Sequence, residues 1–373
     1  MQLKNPFVVV GYQSPEYFCD RENETEKIIT YLENDWNLTL IAPRRMGKTG
    51  LIQHVFYKMR EKDTSVRCFY MDIFPTTCMN DFVKLFAKTV LGQLDGLSKS
   101  VLKKITSFFK SCRPVITSDE ITGAPSITLD FINNEVESSL KEICEYLVLS
   151  GKRCYIAIDE FQQITEYPEK KTEALLRSHI QFMPNVHFVF SGSKRHIMDE
   201  MFISANRPFF QSTRILTIRE IDVEQYFKFA NPFFENVKSV LPKEIFEIIY
   251  NRFCGHTWYV QSVLNELYMM KTKTIDNEAV SKAINTIIEE QTSSYERLFS
   301  LLTINQRQVL KAVAKEKIVT NPSSSRFIEK SSGLAASSVA AALKSLTDNE
   351  YLYKDENGII VYDRFMSLWL ERL

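Results

Sequence analysis

The sequence lacks a charge imbalance and a membrane-length apolar run, and each absence excludes a class of partner. Lysine plus arginine and aspartate plus glutamate both number 46, so no overall field attracts nucleic acid or an anionic membrane. No apolar run approaches the roughly 20 residues that a membrane-spanning helix needs. The first residues also lack the apolar core of a signal peptide. We therefore expect a cytoplasmic protein without a membrane partner.

A paired-cysteine motif is also missing. The seven cysteines are odd in number and scattered along the chain, without a CxxC pair, and several lie inside apolar segments. This distribution favours buried free thiols in a reducing cytoplasm over disulfides or a metal site.

What the chain does contain is an alternation of strand-like and helix-like patterns over its first two hundred or so residues. Short apolar runs predict strands at residues 38–41, 66–72, 154–158, 186–190 and 214–218. Helical periodicity covers residues 48–60, 80–93, 130–150 and 171–182. Between residues 98 and 126 the periodicity fades, so we expect a surface insertion or loop there. Such alternation predicts an α/β fold with a parallel sheet and helices on both faces.

The last 150 or so residues have a different pattern. Residues 222–300 are helical throughout, whereas residues 303–373 contain short helices followed by a hairpin with a turn at 356–358. At 373 residues, the chain is too long for one ordinary core. We predict a P-loop ATPase domain over residues 1–219, a helical lid domain over 220–301 and a winged-helix domain over 302–373.

A phosphate-binding loop follows the first predicted strand. Residues 42–49 match the pattern G-x-x-x-x-G-K-[ST], with Ala42 in place of the first glycine. Gly47 lets backbone N–H groups crowd around phosphates at the N-terminus of the next helix. Lys48 would bridge the β- and γ-phosphates, and the Thr49 hydroxyl would ligate Mg²⁺. The predicted nucleotide-binding residues here are Pro43, Arg44, Arg45, Met46, Gly47, Lys48, Thr49 and Gly50, although Arg44 and Arg45 could instead be solvated loop charges.

A pair of carboxylates ends the predicted strand at 154–158. The apolar strand would deliver Asp159 to the carboxyl edge of the sheet, where it can hold the magnesium shell. Glu160, one position on, would orient and deprotonate the attacking water. One strand and two helices lie between the two motifs. This spacing fits the P-loop class that has an added central strand and uses this glutamate for hydrolysis.

These residues resemble prokaryotic AAA+ ATPases of the STAND type, often named the archaeal-type ATPase family. The paired arginines of the phosphate-binding loop, residues 5–7 and residues 17–24 all look like that family. Its members carry a similar block near the nucleotide base and ribose, which implies that Phe18 and Arg21 bind the nucleotide. Asp20 stands where many relatives have glycine.

The resemblance continues towards the C-terminus. It implies that Ser191, at the end of the fourth strand, senses the γ-phosphate. It also implies that Arg207 and Arg214, which flank residues 208–210, act on the γ-phosphate in their own chain or in a neighbouring subunit. Both arginines could instead be ordinary surface charges.

Two further stretches carry the resemblance. His256 lies in a segment similar to the family's Gly-x-Pro motif, with Thr257 in the proline position, which implies contact with the nucleotide. A packed or helix-capping histidine is the alternative. Residues 361–365, with Trp369 and Leu370, look like the family's C-terminal ending, and Asp363 could simply cap the last helix.

Three functions follow from these features. The first is a slow ATPase with ATP and Mg²⁺, whose nucleotide state sets the domain arrangement and contacts with a protein partner or a second copy. The second is an ATP-controlled DNA-binding regulator, and the third is a catalytically weak scaffold. Glu160 argues against the scaffold, because structural nucleotide needs no base. The predicted recognition helix, residues 335–344, is nearly uncharged, whereas DNA affinity depends on phosphate contacts. We therefore predict the ATPase switch, while Arg326, Lys330 and Lys354 keep DNA binding open.

Overall fold

Five short apolar segments pair into one parallel β-sheet within Val10–Ile221. The computed structural model describes residues 3–94, 105, 107–118, 125–131, 135–354 and 357–373. The strands are β1 (Leu38–Ile41), β2 (Arg67–Asp72), β3 (Cys112–Ser118), β4 (Pro125–Phe131), β5 (Cys154–Asp159), β6 (Val186–Gly192), β7 (Arg214–Thr217), β8 (Leu352–Lys354) and β9 (Ile359–Val361). The sheet has the order β2-β5-β6-β1-β7. Strand β6 thus lies between β1 and β5, which confirms the expected added central strand.

Helices cover both faces of this sheet. They are α1 (Glu22–Glu33), α2 (Lys48–Lys62), α3 (Met79–Leu94), α4 (Val136–Leu149), α5 (Thr172–Ile180) and α6 (Arg195–Ile203). Alternate residues of β5 enter different cores: Ile156 and Ile158 pack with α3 to α6, and Ala157 packs with α1 and α2. Because both faces are covered, β1, β5 and β6 are buried at every position.

The predicted loop between residues 98 and 126 is wrong in part. Within the described residues of this stretch, β3 pairs with β4 as an antiparallel hairpin, while residues 98–104, 106 and 119–124 lie outside the described part of the chain. Since Asp130 and Phe131 belong to β4, helix α4 begins at Val136 rather than at residue 130. Proline, serine and threonine masked the strand pattern here.

Residues 3–9 and Asp222–Leu373 form the second unit. Its helices are α7 (Val223–Asn236), α8 (Lys243–Arg252), α9 (Thr257–Met270), α10 (Asn277–Ser300), α11 (Ile304–Glu316), α12 (Ser325–Lys330), α13 (Ala336–Asp348) and α14 (Arg364–Leu370). Phe7 is fully buried against the rings of Phe233, Phe234 and Tyr268. The N-terminal residues therefore belong to the helical unit, whereas the ATPase domain was predicted to begin at residue 1.

The C-terminal helix α14 packs against the helical region. The Phe365 ring lies 5.2 Å from those of Phe253 and Tyr259, and Trp369 lies beside α10. The helix joins the hairpin to the helical region. Asp363 accepts hydrogen bonds from two backbone N–H groups of α14, which confirms the capping interpretation.

Two sequence-level expectations concern the whole chain. All seven cysteines are free thiols, and four are buried, whereas Cys254 is exposed and does not fit the prediction of burial. Among the described residues, no helix combines the length and apolarity needed to cross a bilayer.

Candidate functional site

The phosphate-binding loop connects the buried end of β1 to the first turn of α2. Gly47 immediately precedes α2 with φ = 85°, a left-handed conformation that glycine adopts without steric cost. The Met46 side chain is buried in the core, so only its backbone is available to a ligand. Lys48, Thr49 and Gly50 form the first turn of α2, where unpaired N–H groups favour an anion.

Lys48 is the buried cation of this site. Its side chain is only 6% exposed, and Nζ donates to the backbone oxygens of Ala42 at 3.0 Å and Pro43 at 3.4 Å. Burial lowers the pKa of Lys48, and the nearby carboxylates of Glu160 and Asp159 only partly offset this effect. The ammonium group thus lies in a position that is unfavourable without an anionic ligand.

Asp159 is the centre of a hydrogen-bond cluster at the end of β5. Its Oδ2 accepts from Thr49 Oγ1 at 2.9 Å and from Tyr70 Oη at 2.7 Å, and its Oδ1 accepts from the Glu160 N–H. Burial, followed by the charge of Asp159, raises the pKa of Tyr70 and keeps the phenol protonated as a donor. Tyr70 is not among the residues predicted from the sequence, where its position as a polar aromatic in the neighbouring strand β2 was the available indication.

The oxygen atoms of Thr49 and Asp159 fit a magnesium site, because Mg²⁺ prefers hard oxygen ligands. The ion usually also keeps phosphate or water oxygens as ligands. Thr49 and Asp159 already contact each other through the atoms that would ligate the ion. Within the described ranges, no three His, Cys, Asp or Glu side chains gather to hold a metal. A magnesium ion here would complete its shell with the oxygens of a bound phosphate or of water.

Glu160 directly follows β5 in a left-handed conformation with φ = 54°. Its Oε2 accepts a hydrogen bond from Ser193 Oγ at 2.7 Å and another from Gln162 Nε2. Neither partner was identified from the sequence. Gln162 is two residues away in the short 3₁₀-helix Phe161–Glu166, so local spacing alone could have indicated it.

Ser191, the predicted γ-phosphate sensor, lies at the same edge but does not contact Glu160. It is 0% exposed, and among the described residues its Oγ has no hydrogen-bond partner. Ser193, two residues on, makes the contact with Glu160 instead. The role of Ser191 as γ-phosphate sensor stays a prediction.

Phe18 and Arg21 both lie beside the phosphate-binding loop. Phe18 stacks on His54 of α2 at 4.5 Å, and a Cβ at Gly50 would come within 3.2 Å of its ring. The Arg21 guanidinium is buried and donates to the Met46 carbonyl at 3.0 Å. Arg21 thus contacts the loop backbone, and contact of either residue with the nucleotide stays a prediction.

The two arginines near β7 lie in different places. Arg207 forms ion pairs with Glu173 of α5 and Glu200 of α6. Arg214 is in register with Leu38 at the amino end of β1, and its guanidinium lies 4.0 Å from the Trp36 ring centroid. The phosphate-binding loop follows the opposite end of β1, about 10 Å away at strand geometry. Arg214 is therefore unsuited to the nucleotide of its own chain, which corrects that part of the prediction.

His256 belongs to the second unit and is the residue that precedes α9. Its side chain makes no capping hydrogen bond to that helix. The role in nucleotide contact that the resemblance implied stays a prediction.

A protein-family model for an ATPase domain found predominantly in Archaea matches residues 18–263, well over half of the chain. The chain belongs to this family. A probable winged helix domain matches residues 293–372. The archaeal-type ATPase therefore carries the C-terminal winged helix predicted from its sequence, while its assignment to the STAND division stays a prediction.

Known proteins agree with the family assignment. An uncharacterised ATP-binding protein of Methanocaldococcus jannaschii is 23% identical over 297 residues, 74% of each chain. The Walker-type ATPase of Pyrococcus abyssi has a TM-score of 0.65 at 17% identity, covering 99% of this chain and 100% of that one. The Aeropyrum pernix ORC1 protein, solved in complex with DNA, has a TM-score of 0.54 at 13% identity, covering 98% and 96%. These structures share the fold.

Proposed function

We propose that this archaeal-type ATPase binds ATP with Mg²⁺, hydrolyses it slowly and acts as a molecular switch of the STAND type. The observation that supports this is the meeting of Lys48, Thr49, Asp159 and Glu160 at the carboxyl edge of one parallel sheet. This edge is where open α/β sheets bind ligands. The ATP-binding relative and an ADPNP–ADP complex of the fold-related Aeropyrum pernix ORC2 protein support nucleotide as the ligand.

Each residue has a separate task in this proposal. Lys48 compensates the charge of the β- and γ-phosphates, which relieves the cost of its burial. Thr49 and Asp159 hold Mg²⁺, and Tyr70 keeps the Asp159 carboxylate in place. When bound, the ion would neutralise part of the negative charge of the phosphates.

Glu160 is the general base for the attacking water. It takes one proton from the water, whose oxygen bonds to the γ-phosphorus while the bond to the bridging β-phosphate oxygen breaks. Ser193 connects this base to the end of β6, next to Ser191. We assign Ser191 as the sensor, because its hydroxyl lies near the carboxyl end of β6 and has no hydrogen-bond partner among the described residues.

The second candidate function is an ATP-controlled DNA-binding regulator. The fold shared with the DNA-bound Aeropyrum pernix ORC1 protein favours it. However, the exposed residues of α13 include several small uncharged side chains and Lys344. Lys330 and Arg326 both pair with Glu316, so their charge is partly compensated. These contacts favour a protein-contact role for the winged helix.

The variant Glu160→Gln tests the assignment of the base. It should bind ATP with unchanged affinity but release phosphate at least about 100-fold more slowly, because an amide cannot accept the proton. Binding would be measured by equilibrium titration and turnover by phosphate release, with Lys48→Ala as the variant that does not bind. Undiminished turnover in Glu160→Gln would contradict the role.

The switch is tested on the unmodified protein. Its mass and hydrodynamic radius in solution would be compared with ADP and with a non-hydrolysable ATP analogue. We expect a difference in at least one of the two quantities. Identical values in both nucleotide states would contradict the switch without affecting the assignment of the base.

A further inference from the structure

Gln162 is a buried polar residue that directly contacts the proposed base. Gln162 is only 3% exposed, and its Nε2 donates a hydrogen bond to Glu160 Oε2. An ionised carboxylate can only accept hydrogen bonds, so chemistry requires the amide nitrogen, not the oxygen, to face Glu160. Ser193 donates to the same carboxylate oxygen. In the described part of the chain, the other oxygen of Glu160 has no hydrogen bond.

The opposite end of the Gln162 amide has no donor. Among the described residues, its Oε1 is a buried acceptor without a hydrogen-bond partner, as is the hydroxyl of Ser191. A Cβ at Gly192 would come within 2.5 Å of this Oε1, so the amide oxygen lies against the backbone between Ser191 and Ser193. Buried polar atoms in proteins are nearly always satisfied by protein, water or ligand. Two unsatisfied atoms on two segments that both contact the base residue's surroundings, the 3₁₀-helix and the end of β6, indicate a place for a polar reactant.

We propose that Gln162 is a positioning residue for hydrolysis, with Nε2 orienting Glu160 and Oε1 accepting a hydrogen bond from the attacking water. The proposal rests on the proposed role of Glu160 as the base. With Oε2 of Glu160 held by Gln162 and Ser193, its other oxygen takes the proton of the water. Gln162 Oε1 orients the second hydrogen, which fixes the direction of attack.

The first test compares Gln162→Leu with Gln163→Leu. The control residue is the next one on the same 3₁₀-helix, and its amide donates instead to the Thr76 carbonyl at 3.3 Å. Gln162→Leu should slow single-turnover phosphate release by about 10–100-fold, because general-base catalysis depends on alignment. ATP affinity should stay within about twofold, since the amide does not hold the phosphates. Gln163→Leu should change neither quantity, and thermal unfolding would show that both variants are folded.

The second test separates positioning from a structural role. Because Gln162 aligns the water with Glu160, removing it should matter less once the base is gone, so adding Gln162→Leu to Glu160→Gln should cause a smaller further loss than Gln162→Leu causes in the wild type. A merely structural glutamine would instead slow phosphate release by the same factor in both backgrounds.

Full turnover in Gln162→Leu overturns the proposal, and so does an equal further loss when this change is added to Glu160→Gln. If Glu160→Gln is inactive while Gln162→Leu is fully active, only the role of Gln162 fails. If Glu160→Gln keeps wild-type turnover, the proposed base fails and the positioning role fails with it.

Discussion

Replacing Lys48 with methionine should stabilise the nucleotide-free protein while abolishing ATP binding. The Lys48 ammonium is buried and has two backbone carbonyls as acceptors, and burial lowers its pKa in spite of the nearby carboxylates. The charged form therefore costs the folded state free energy at neutral pH. Methionine fills a similar volume without a charge.

The size of the effect follows from the cost of buried charge. Replacing a buried ion pair by apolar residues of similar volume is often neutral or stabilising by about 1–4 kcal/mol, and because Lys48 forms no ion pair among the described residues, we expect about 1–2 kcal/mol for removing its single charge. For a unit of roughly 200 residues, this corresponds to a Tm increase of about 2–8 °C. ATP at 100 times its Kd stabilises the wild-type protein by about 2.7 kcal/mol but leaves the variant unchanged. The order of stability should therefore reverse when ATP is added.

The assay is thermal and urea-induced unfolding of both proteins, with and without ATP and Mg²⁺. Lys58→Met, on the exposed side of the same helix, is the control and should stay within about 0.5 kcal/mol of wild type. The folded pKa of Lys48 is lowered, so wild-type stability rises with pH through that pKa, and the advantage of methionine should shrink towards pH 10. A nucleotide-free Lys48→Met protein that is less stable than wild type would refute the reasoning.

Three further predictions concern residues around the site and the winged helix. Arg21→Met should weaken ATP binding about 10-fold, because Arg21 supports the backbone of the phosphate-binding loop. Turnover of the bound nucleotide should stay nearly unchanged. Equilibrium titration measures the first effect and single-turnover kinetics the second. Arg207→Ala should reduce turnover at saturating ATP if the 207–214 segment reaches a γ-phosphate. Arg214→Ala should reduce turnover only if Arg214 reaches the γ-phosphate of a neighbouring subunit. Wild-type rates in both variants would show that the segment has only a structural role. Residues 303–373 carry ten basic against eight acidic side chains, so duplex DNA should bind only non-specifically, with a Kd on the order of 10⁻⁴–10⁻⁶ M in a fluorescence titration at physiological salt. Submicromolar affinity that Lys344→Glu or Lys330→Glu weakens would promote the DNA-regulator alternative.

Much of the ATPase unit could be predicted from the sequence because its information is local. The five strands of the parallel sheet are continuous apolar runs, and each was found to within two residues at either end. The phosphate-binding loop 42–49 and residues 159–160 follow directly after the predicted runs 38–41 and 154–158, so their placement at one sheet edge required only the rule for parallel strands. Asp363 could likewise be recognised as a cap from its position before a helix.

Some residues of the candidate site could be found only from the tertiary structure. They contact the site through side-chain atoms and lie far from it in the sequence. Tyr70 reaches Asp159 across 89 positions, and Ser193 reaches Glu160 across 33. No local pattern encodes such pairs, because they depend on strand register and on the depth of each side chain. The antiparallel hairpin β3–β4 was missed for a related reason, since its strands are recognisable mainly by pairing with each other.

The tertiary structure also determines the different surroundings of residues of the same type. Arg207 and Arg214 look equivalent in the sequence, but one pairs with two glutamates and the other lies at the amino end of β7, away from the phosphate-binding loop. Phe7 was grouped with the ATPase domain by its place in the chain, yet it is buried among aromatic rings of the helical unit. Sequence patterns determine which segments form elements and where a chemical motif ends a strand. The packing of those elements determines which side chains meet, because contact depends on distance in space and not along the chain.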